Sequence, residues 1–572
     1  MSNKKKLMRI NFKKIASQVL AVLLVLSIVL LSGCDGNNSS SKTEGNNSTV
    51  SGTTSSDDNS SSEDANSSQD SSSSEDSVSS DDKTNLNSSV TSKIDPITGE
   101  YSYSDTSSNI YNDVVEVLPS GNTAYLSNPI DGYTTKEAEA LRKEILNAKN
   151  TAENYKITGT TYYVSSKGDD SNSGLSPDKP IKSIENISGL NLQKGDAVLF
   201  ERGSVFRMYT ALLTVSGVTY GSYGTGEKPK FYTSPVNFVN VKWEPSTKKN
   251  VWKIDWIYSD AGVMVFDHGK QIGYRRTSLR KLEKNTDFFQ DDSTGTMYLY
   301  CDKGNPAKSY ESIEIGIRMS MFNIPSGVRD VIIDNICFKY GGVFAVNATW
   351  NTSGISITNC EIGYIGGCTI SSSGRYGNAI QFWTGAKDIV CKNNWIYHTF
   401  DTAISWQGYG GIEYSYYDIN FSNNLFEYNN CDIEIWAGDG AEVKNFIMED
   451  NIMRFTANGW GTRMDDAGSR GIEGCFVGHF ENMVVENVVI KNTLIDCPGR
   501  YIVNLGILAS DAQTNIKVSG TTFHINPKYR NTNEVIRGFL VLPTDKNPGT
   551  AENAAEAEVL RRFDPNAVIN WY

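Results

Sequence analysis

A short motif of Asn, two variable residues and a large apolar residue returns along the second half of this 572-residue chain. It reads Asn335-Ile-Cys-Phe338, Asn359-Cys-Glu-Ile362, Asn393-Asn-Trp-Ile396 and Asn423-Asn-Leu-Phe426. It continues in looser form as Asp450-Asn-Ile-Met453, Asn492-Thr-Leu-Ile495 and Gly520-Thr-Thr-Phe523. Successive steps are 24, 34, 30, 27, 42 and 28 residues. A minimum step with variable additions is what a solenoid of short strands produces when some coils carry loops. Asn has a physical reason to recur at one turn of each coil, because it tolerates the left-handed conformation and its amide can bond the equivalent amide one coil away. The pattern predicts an all-β right-handed parallel β-helix.

The N-terminal part reads differently. Lys4, Lys5, Lys6, Arg9, Lys13 and Lys14 precede an apolar run over 19–31, and Leu31-Ser32-Gly33-Cys34 closes it. This is the pattern of a bacterial lipoprotein signal over 1–34, with Cys34 as the lipidated residue. The apolar run is short for a membrane span. Residues 35–97 are Ser, Asp, Asn, Glu and Thr with few apolar side chains. Such a segment buries too little surface to offset its chain entropy, so a disordered tether with a reach of about 45 Å is expected. The chain is therefore expected to be exported and lipid-anchored at the outer face of the cell membrane. A lead-in over 98–160 and a β-helix domain over 161–572 follow. In the lead-in, Thr134-Thr-Lys-Glu137 is a capping box opening one amphipathic helix, suited to covering the open end of a solenoid.

The whole chain carries a formal charge of −13. It shows no basic patch interleaved with aromatics, which argues against nucleic acid as a partner. Eight cysteines follow Cys34 without a C-x-x-C pair, and buried apolar filling is the expected role.

The segment Tyr162-Tyr-Val-Ser-Ser-Lys-Gly-Asp-Asp-Ser-Asn-Ser-Gly-Leu-Ser-Pro-Asp-Lys-Pro180, with Lys194-Gly-Asp-Ala-Val-Leu-Phe200, Glu201-Arg-Gly203 and Tyr220-Gly-Ser-Tyr-Gly-Thr-Gly226, resembles the opening coils of the pectate-lyase-like right-handed β-helix superfamily. The resemblance implies the fold and leaves the reaction open among polysaccharide lyases, glycoside hydrolases, epimerases and phage tailspikes. Between about Phe231 and Pro325 the pattern is disturbed, and a hairpin-rich insertion returning near Val328 is expected.

Aligning three coils superposes Ala379-Ile-Gln-Phe-Trp383, Ala403-Ile-Ser-Trp-Gln407 and Asp432-Ile-Glu-Ile-Trp436. Alternation sends Ile380, Ile404 and Ile433, with Phe382, Trp406 and Ile435, to one side as interior stacks. The other side collects Gln381, Ser405 and Glu434 in one column and Trp383, Gln407 and Trp436 in a second, with Asp432 at the edge. Aromatic faces beside amides and carboxylates suit a polysaccharide or oligosaccharide. Extra residues at 371–377, 408–417 and 459–470, the last holding Arg463, are expected to wall this face. Glu434 as general acid and Asp401 as nucleophile or base form the expected catalytic pair, with Asp432 and Glu473 as competitors and His398 orienting Asp401. Gln381, Trp383, Gln407, Asp432, Trp436, Arg463 and His398 are expected to contact substrate.

Three functions compete on these residues. A glycoside hydrolase needs two carboxylates and no cofactor or metal. A pectate-type lyase needs Ca²⁺, for which Asp401, Asp432, Glu434 and Asp439 could serve, and a basic residue, for which Arg375 and Arg463 stand nearest. A glycan-binding surface protein needs neither. The hydrolase reading ranks first, acting as a monomer.

Overall fold

The computed structural model describes residues 136–371, 374–438, 440–462, 467–468, 474–480, 484–504, 516–526, 540–541 and 555–571, with one small strand pair at 93–94 and 101–102. The signal, Cys34 and all of the 35–97 tether but Lys93 and Ile94 lie outside the described residues, as do Arg463, Glu473 and Asp439.

Three long sheets run along the described solenoid, two of ten strands and one of nine, and the chain visits them in rotation. One coil shows the cycle. Ser353–Thr358 lies in the first sheet, Glu361–Ile365 in the second and Ile380–Trp383 in the third, before Lys387–Lys392 returns to the first. Neighbouring strands within each sheet are parallel. The chain is a right-handed parallel β-helix, the hand that right-twisted strands impose on parallel crossovers.

The Asn motif forms the turn between first and second sheets. Asn335, Asn359, Asn393, Asn423, Asp450 and Asn492 all hold φ between 52° and 60°, and Gly520 holds 71°. Asn393 Nδ2 donates to Asn359 Oδ1 at 3.3 Å, and Asn423 Nδ2 to Asn393 Oδ1 at 2.6 Å. A second ladder stands one residue further on. The Oδ1 atoms of Asn394, Asn424 and Asn451 accept the backbone N–H of Cys360, Asn394 and Asn424 at 2.9, 3.0 and 3.0 Å. These three side chains are fully buried, so each amide supplies partners that the interior of the turn would otherwise lack.

Inward residues of the three sheets stack coil upon coil. Ile333, Ile357, Cys391, Phe421 and Met448 come from the first sheet. Phe338, Ile362, Ile396 and Phe426 come from the second, and Ile380, Ile404 and Ile433 from the third. Each fully buried side chain of this kind contributes about 1.5–3 kcal/mol. Ile184–Gly189 packs Ile184 and Ile187 onto the first coils, and Glu556–Arg562 places Ala557 and Leu560 on the last. The eight cysteines from Cys301 to Cys497 are buried thiols.

The expected helix forms as Lys136–Leu146, but it covers a flank rather than the open end. Ala138, Leu141 and Ile145 pack on the outer face of the second sheet with Tyr232, Trp395 and Leu425. Arg142 fixes it there, donating Nη2 to both carboxylate oxygens of Glu427 at 2.6–2.7 Å and lying 5.0 Å over the Trp395 ring.

The insertion occupies 233–321. It leaves after Lys230–Tyr232 of the second sheet and returns at Phe322–Ile324 of the third, somewhat before Val328. Its five-stranded and three-stranded sheets are built largely from antiparallel pairs and carry a core of their own around Trp243, Trp256, Phe266 and Leu299.

Candidate functional site

The third sheet aligns as the sequence suggested. Gln381 pairs with Ser405 and Ser405 with Glu434, while Trp383, Gln407 and Trp436 align two residues on. Their neighbours Ile380, Phe382, Ile404, Trp406, Ile433 and Ile435 fill the interior. The columns extend beyond this stretch, because Asn323 and Asn347 precede Gln381 in the same register and Val477 follows Glu434.

Glu434 is the anchored carboxylate of this face. Its Oε2 accepts from Ser405 Oγ at 2.7 Å and from Gln407 Nε2 at 2.8 Å, both one coil away. Two donors on one oxygen fix the plane of the group. Glu434 is 6% exposed, and Trp436, two residues on along the same outer face, is 49% exposed. Trp383 is half-buried and donates Nε1 to Asn347 Oδ1 at 2.8 Å. Gln381 is fully buried, its amide taken up by Asn378 and by the Phe382 carbonyl. It supports the floor and offers a ligand no surface.

The expected partner of Glu434 is not beside it. Asp401 precedes Thr402, which pairs with Cys431, whereas Glu434 pairs with Ser405. Four residues of strand separate the two rungs, about 13 Å at the strand rise. A retaining or inverting pair needs its carboxyl groups roughly 5 to 9.5 Å apart, closer than these two backbone positions stand. Asp401 is also 3% exposed, under a loop that comes so close that a Cβ on Gly461 would stand 1.7 Å from the Phe400 carbonyl oxygen.

Asp432 departs from expectation as well. It precedes Ile433 as Ala403 precedes Ile404 and Ala379 precedes Ile380, and both alanines belong to the core. Asp432 is accordingly fully buried, not at the groove edge, and accepts from Thr456 Oγ1 and from Asn429 Nδ2. Burial pushes its carboxyl up to about 8, against the opposing pull of those two hydrogen bonds. At the start of a strand the corner, not the two-residue alternation, decides which way a side chain faces.

His398, expected to contact substrate, is buried away from any ligand instead. It is fully buried in an aromatic ladder, stacked between Tyr364 at 5.2 Å and Tyr428 at 5.4 Å, with Tyr340 beyond one and Phe455 beyond the other. All five residues hold φ near 50°, so the ladder marks a second left-handed position, at the C-terminal end of the second-sheet strands.

Arg375, a possible lyase base, is a staple instead. It is 2% exposed and donates to the carbonyls of Gly367, Gly262 and Gly468 at 2.7, 3.1 and 3.4 Å. It thereby ties the strand Gly374–Tyr376 to Gly262 of the insertion and to Gly468. The proposed Ca²⁺ ligands Asp401, Asp432 and Glu434 are not gathered on one face, and Asp439 lies outside the described residues.

Two aromatic residues escaped the sequence reading. Trp350 and Tyr409, 46% and 63% exposed, stand where the third sheet turns towards the first, with ring centroids 5.6 Å apart. Neither repeats from coil to coil, so periodicity offers no signal. The only local hint is the Gly408-Tyr-Gly-Gly411 turn, which has little apolar surface to bury a ring.

No protein-family model matches the chain. Over 103 residues it is 35% identical to a lacto-N-biosidase of Bifidobacterium longum subsp. longum, a match that covers 16% of this chain and 6% of that protein. Solved structures with a similar backbone include XylC in complex with xylose, at 12% identity and TM-score 0.38, covering 64% of this chain and 69% of that one. A lacto-N-biosidase of Eubacterium ramulus is similar at 13% identity and TM-score 0.31, with 74% and 69% covered. Pectate lyase Pel9A is similar at 12% identity and TM-score 0.32, with 64% and 70% covered. What decides the fold is the chain's own three parallel sheets visited in rotation. The fold is the right-handed parallel β-helix. On that fold, the third sheet carries the fixed carboxylate of Glu434 and the exposed ring of Trp436.

Proposed function

We propose that this protein is a carbohydrate-active enzyme, a glycoside hydrolase that binds a polysaccharide or oligosaccharide on the third sheet and uses Glu434 as its general acid. The observation that carries the reading is the placement of Glu434, oriented by Ser405 and Gln407 and flanked by the exposed Trp436. An aromatic face takes the C–H side of a sugar while amides and a carboxylate address its oxygens. A carboxyl group fixed within hydrogen-bond reach of a glycosidic oxygen can protonate the leaving group, and a second carboxylate then acts as nucleophile or base. The short match to a lacto-N-biosidase supports the same class. On this reading no cofactor is needed, and the enzyme works as a monomer. Export and lipidation at Cys34 would hold it at the outer face of the membrane on its 35–97 tether, within reach of extracellular glycans.

The test is turnover of a glycan panel by residues 99–572, including the lacto-N-biose-terminated oligosaccharides that the relative's name suggests, with and without EDTA. New reducing ends, unaffected by EDTA and lost in Glu434→Gln, are the expected result. A Ca²⁺-dependent unsaturated uronate product would overturn the hydrolase reading in favour of a lyase. Glycan binding without turnover would overturn it in favour of a binding protein.

A further inference from the structure

The exposed rings of the third sheet form a line that leads away from Glu434. Trp436 lies two residues beyond Glu434 on the same strand. Its carbonyl accepts the Gly408 N–H at 2.9 Å, which places Tyr409 one residue from that rung. The Tyr409 backbone is held in turn by its own N–H donating to Thr384 Oγ1 at 3.1 Å. Tyr409 then meets Trp350 with the two ring planes at 83°, and meets Tyr414 on its other side at 6.5 Å and 62°. By register Trp350 stands three coils from Trp436, about 14 Å along the solenoid axis.

The Trp350 and Tyr409 rings do not serve the core. Both keep about half or more of their surface in water, on a corner that connects directly to the rung of Trp436. Exposed aromatic surface of this size is costly unless something covers it. Two rings at nearly a right angle make an open corner, with one face as floor and the other as wall. That shape fits a single puckered ring whose faces are C–H groups and whose rim is hydroxyl, and the acidic balance of the chain disfavours an anionic occupant.

We infer that Trp350 and Tyr409 form a distal subsite for a neutral pyranose unit of the same glycan that reaches Glu434. The inference rests on the hydrolase reading. The rungs of Glu434 and Tyr409 differ by four residues along the strand, about 13 Å, so the subsite engages oligosaccharides and is out of reach of a short aryl glycoside.

The experiment compares kcat and KM of the wild type, Trp350→Ala, Tyr409→Ala and the double variant on an oligosaccharide series and on an aryl glycoside of the same terminal sugar. Leu175→Ala, which removes an exposed apolar side chain at 56% exposure in the loop after the strand Thr161–Val164, is the control. Each single variant should raise KM for the longer substrates roughly three- to tenfold, the range one aromatic contact gives. Its aryl glycosidase activity and the control should stay within about twofold of wild type. An unchanged preference for longer substrates in the double variant overturns the subsite. Glycan retardation in affinity gels separates the two claims. If the wild type hydrolyses nothing yet its retardation is lost in the double variant, the hydrolase reading falls and the subsite stands. If neither turnover nor retardation depends on these residues, both fall.

Discussion

Gln407 donates its Nε2 to Oε2 of Glu434 at 2.8 Å, from the coil before it. With Ser405 on the same oxygen, it holds the carboxyl group in one plane against the sheet. Glu434→Gln keeps the shape and removes the proton transfer, so turnover should fall by about 10²–10⁴ with little change in glycan affinity. Gln407→Ala removes one orienting bond and leaves the acid in place. Its kcat should fall by roughly tenfold, the loss of about 1.4 kcal/mol that one hydrogen bond can contribute, while KM stays within twofold. A Gln407→Ala enzyme with wild-type kcat would show that the orientation of Glu434 does not matter.

The helix on the flank is held by a buried charge ladder. Glu427 receives Arg142 from the helix, Arg454 at 3.2 Å from the next coil and the Trp395 indole at 2.8 Å, and Arg454 also binds Asp496 one coil further. Each of the four charged side chains is 2% exposed or less. Removing the shared acceptor takes a buried carboxylate from both Arg142 and Arg454, so Glu427→Ala should cost about 3–5 kcal/mol. Arg142→Met leaves Glu427 bound to Arg454 and should cost clearly less, while speeding amide exchange over 136–146 relative to the sheets. Equal loss of Tm in the two variants would contradict this division.

Much of the solenoid was readable in the chain. The left-handed Asn turn has a strict residue preference and recurs, and the interior triplets Ile380/Ile404/Ile433 and Phe382/Trp406/Ile435 follow strand alternation. The face of Asp401 and Asp432 was not readable, because both sit at strand entrances where the turn geometry overrides alternation. The site of the helix was not readable either. It depends on an ion pair between residues 285 apart, and nothing local in Lys136–Leu146 names Glu427. The burial of His398 was not readable, because its stacking partners Tyr364 and Tyr428 come from adjacent coils.

The two Asn ladders should separate by mutation. Asn424 accepts the Asn394 N–H and donates to the Cys391 carbonyl at 2.9 Å and to Asn451 Oδ1 at 3.0 Å, all in the interior. Asn424→Ala leaves several buried groups without partners, at about 1–3 kcal/mol each. Asn423→Gly keeps the left-handed turn and gives up only a partly buried amide contact, so its cost should be about 1 kcal/mol. Denaturant midpoints at constant m-value decide the order, and a costlier Asn423→Gly would reverse the assignment of the inner ladder as the structural one.

Asp432 makes stability depend on pH in an unusual direction for a carboxyl group. Its folded value is about 8, raised by burial, while an unfolded Asp sits near its ordinary value of 3.8. Between those limits the folded chain keeps a proton that the unfolded chain has released. The folded state binds more protons, so the Asp432 contribution falls as pH rises from about 4 to 8 and is level outside that window. Asp432→Asn keeps a neutral group of the same shape between Thr456 and Asn429 and removes the titration. The variant should therefore match or trail the wild type near pH 4 and gain on it steadily towards pH 8. The difference in unfolding free energy between the two proteins, followed across that range, is the measurement. A constant difference would mean that Asp432 ionises in the folded interior as readily as in water, and that its place in the Ala379 and Ala403 column does not control its charge.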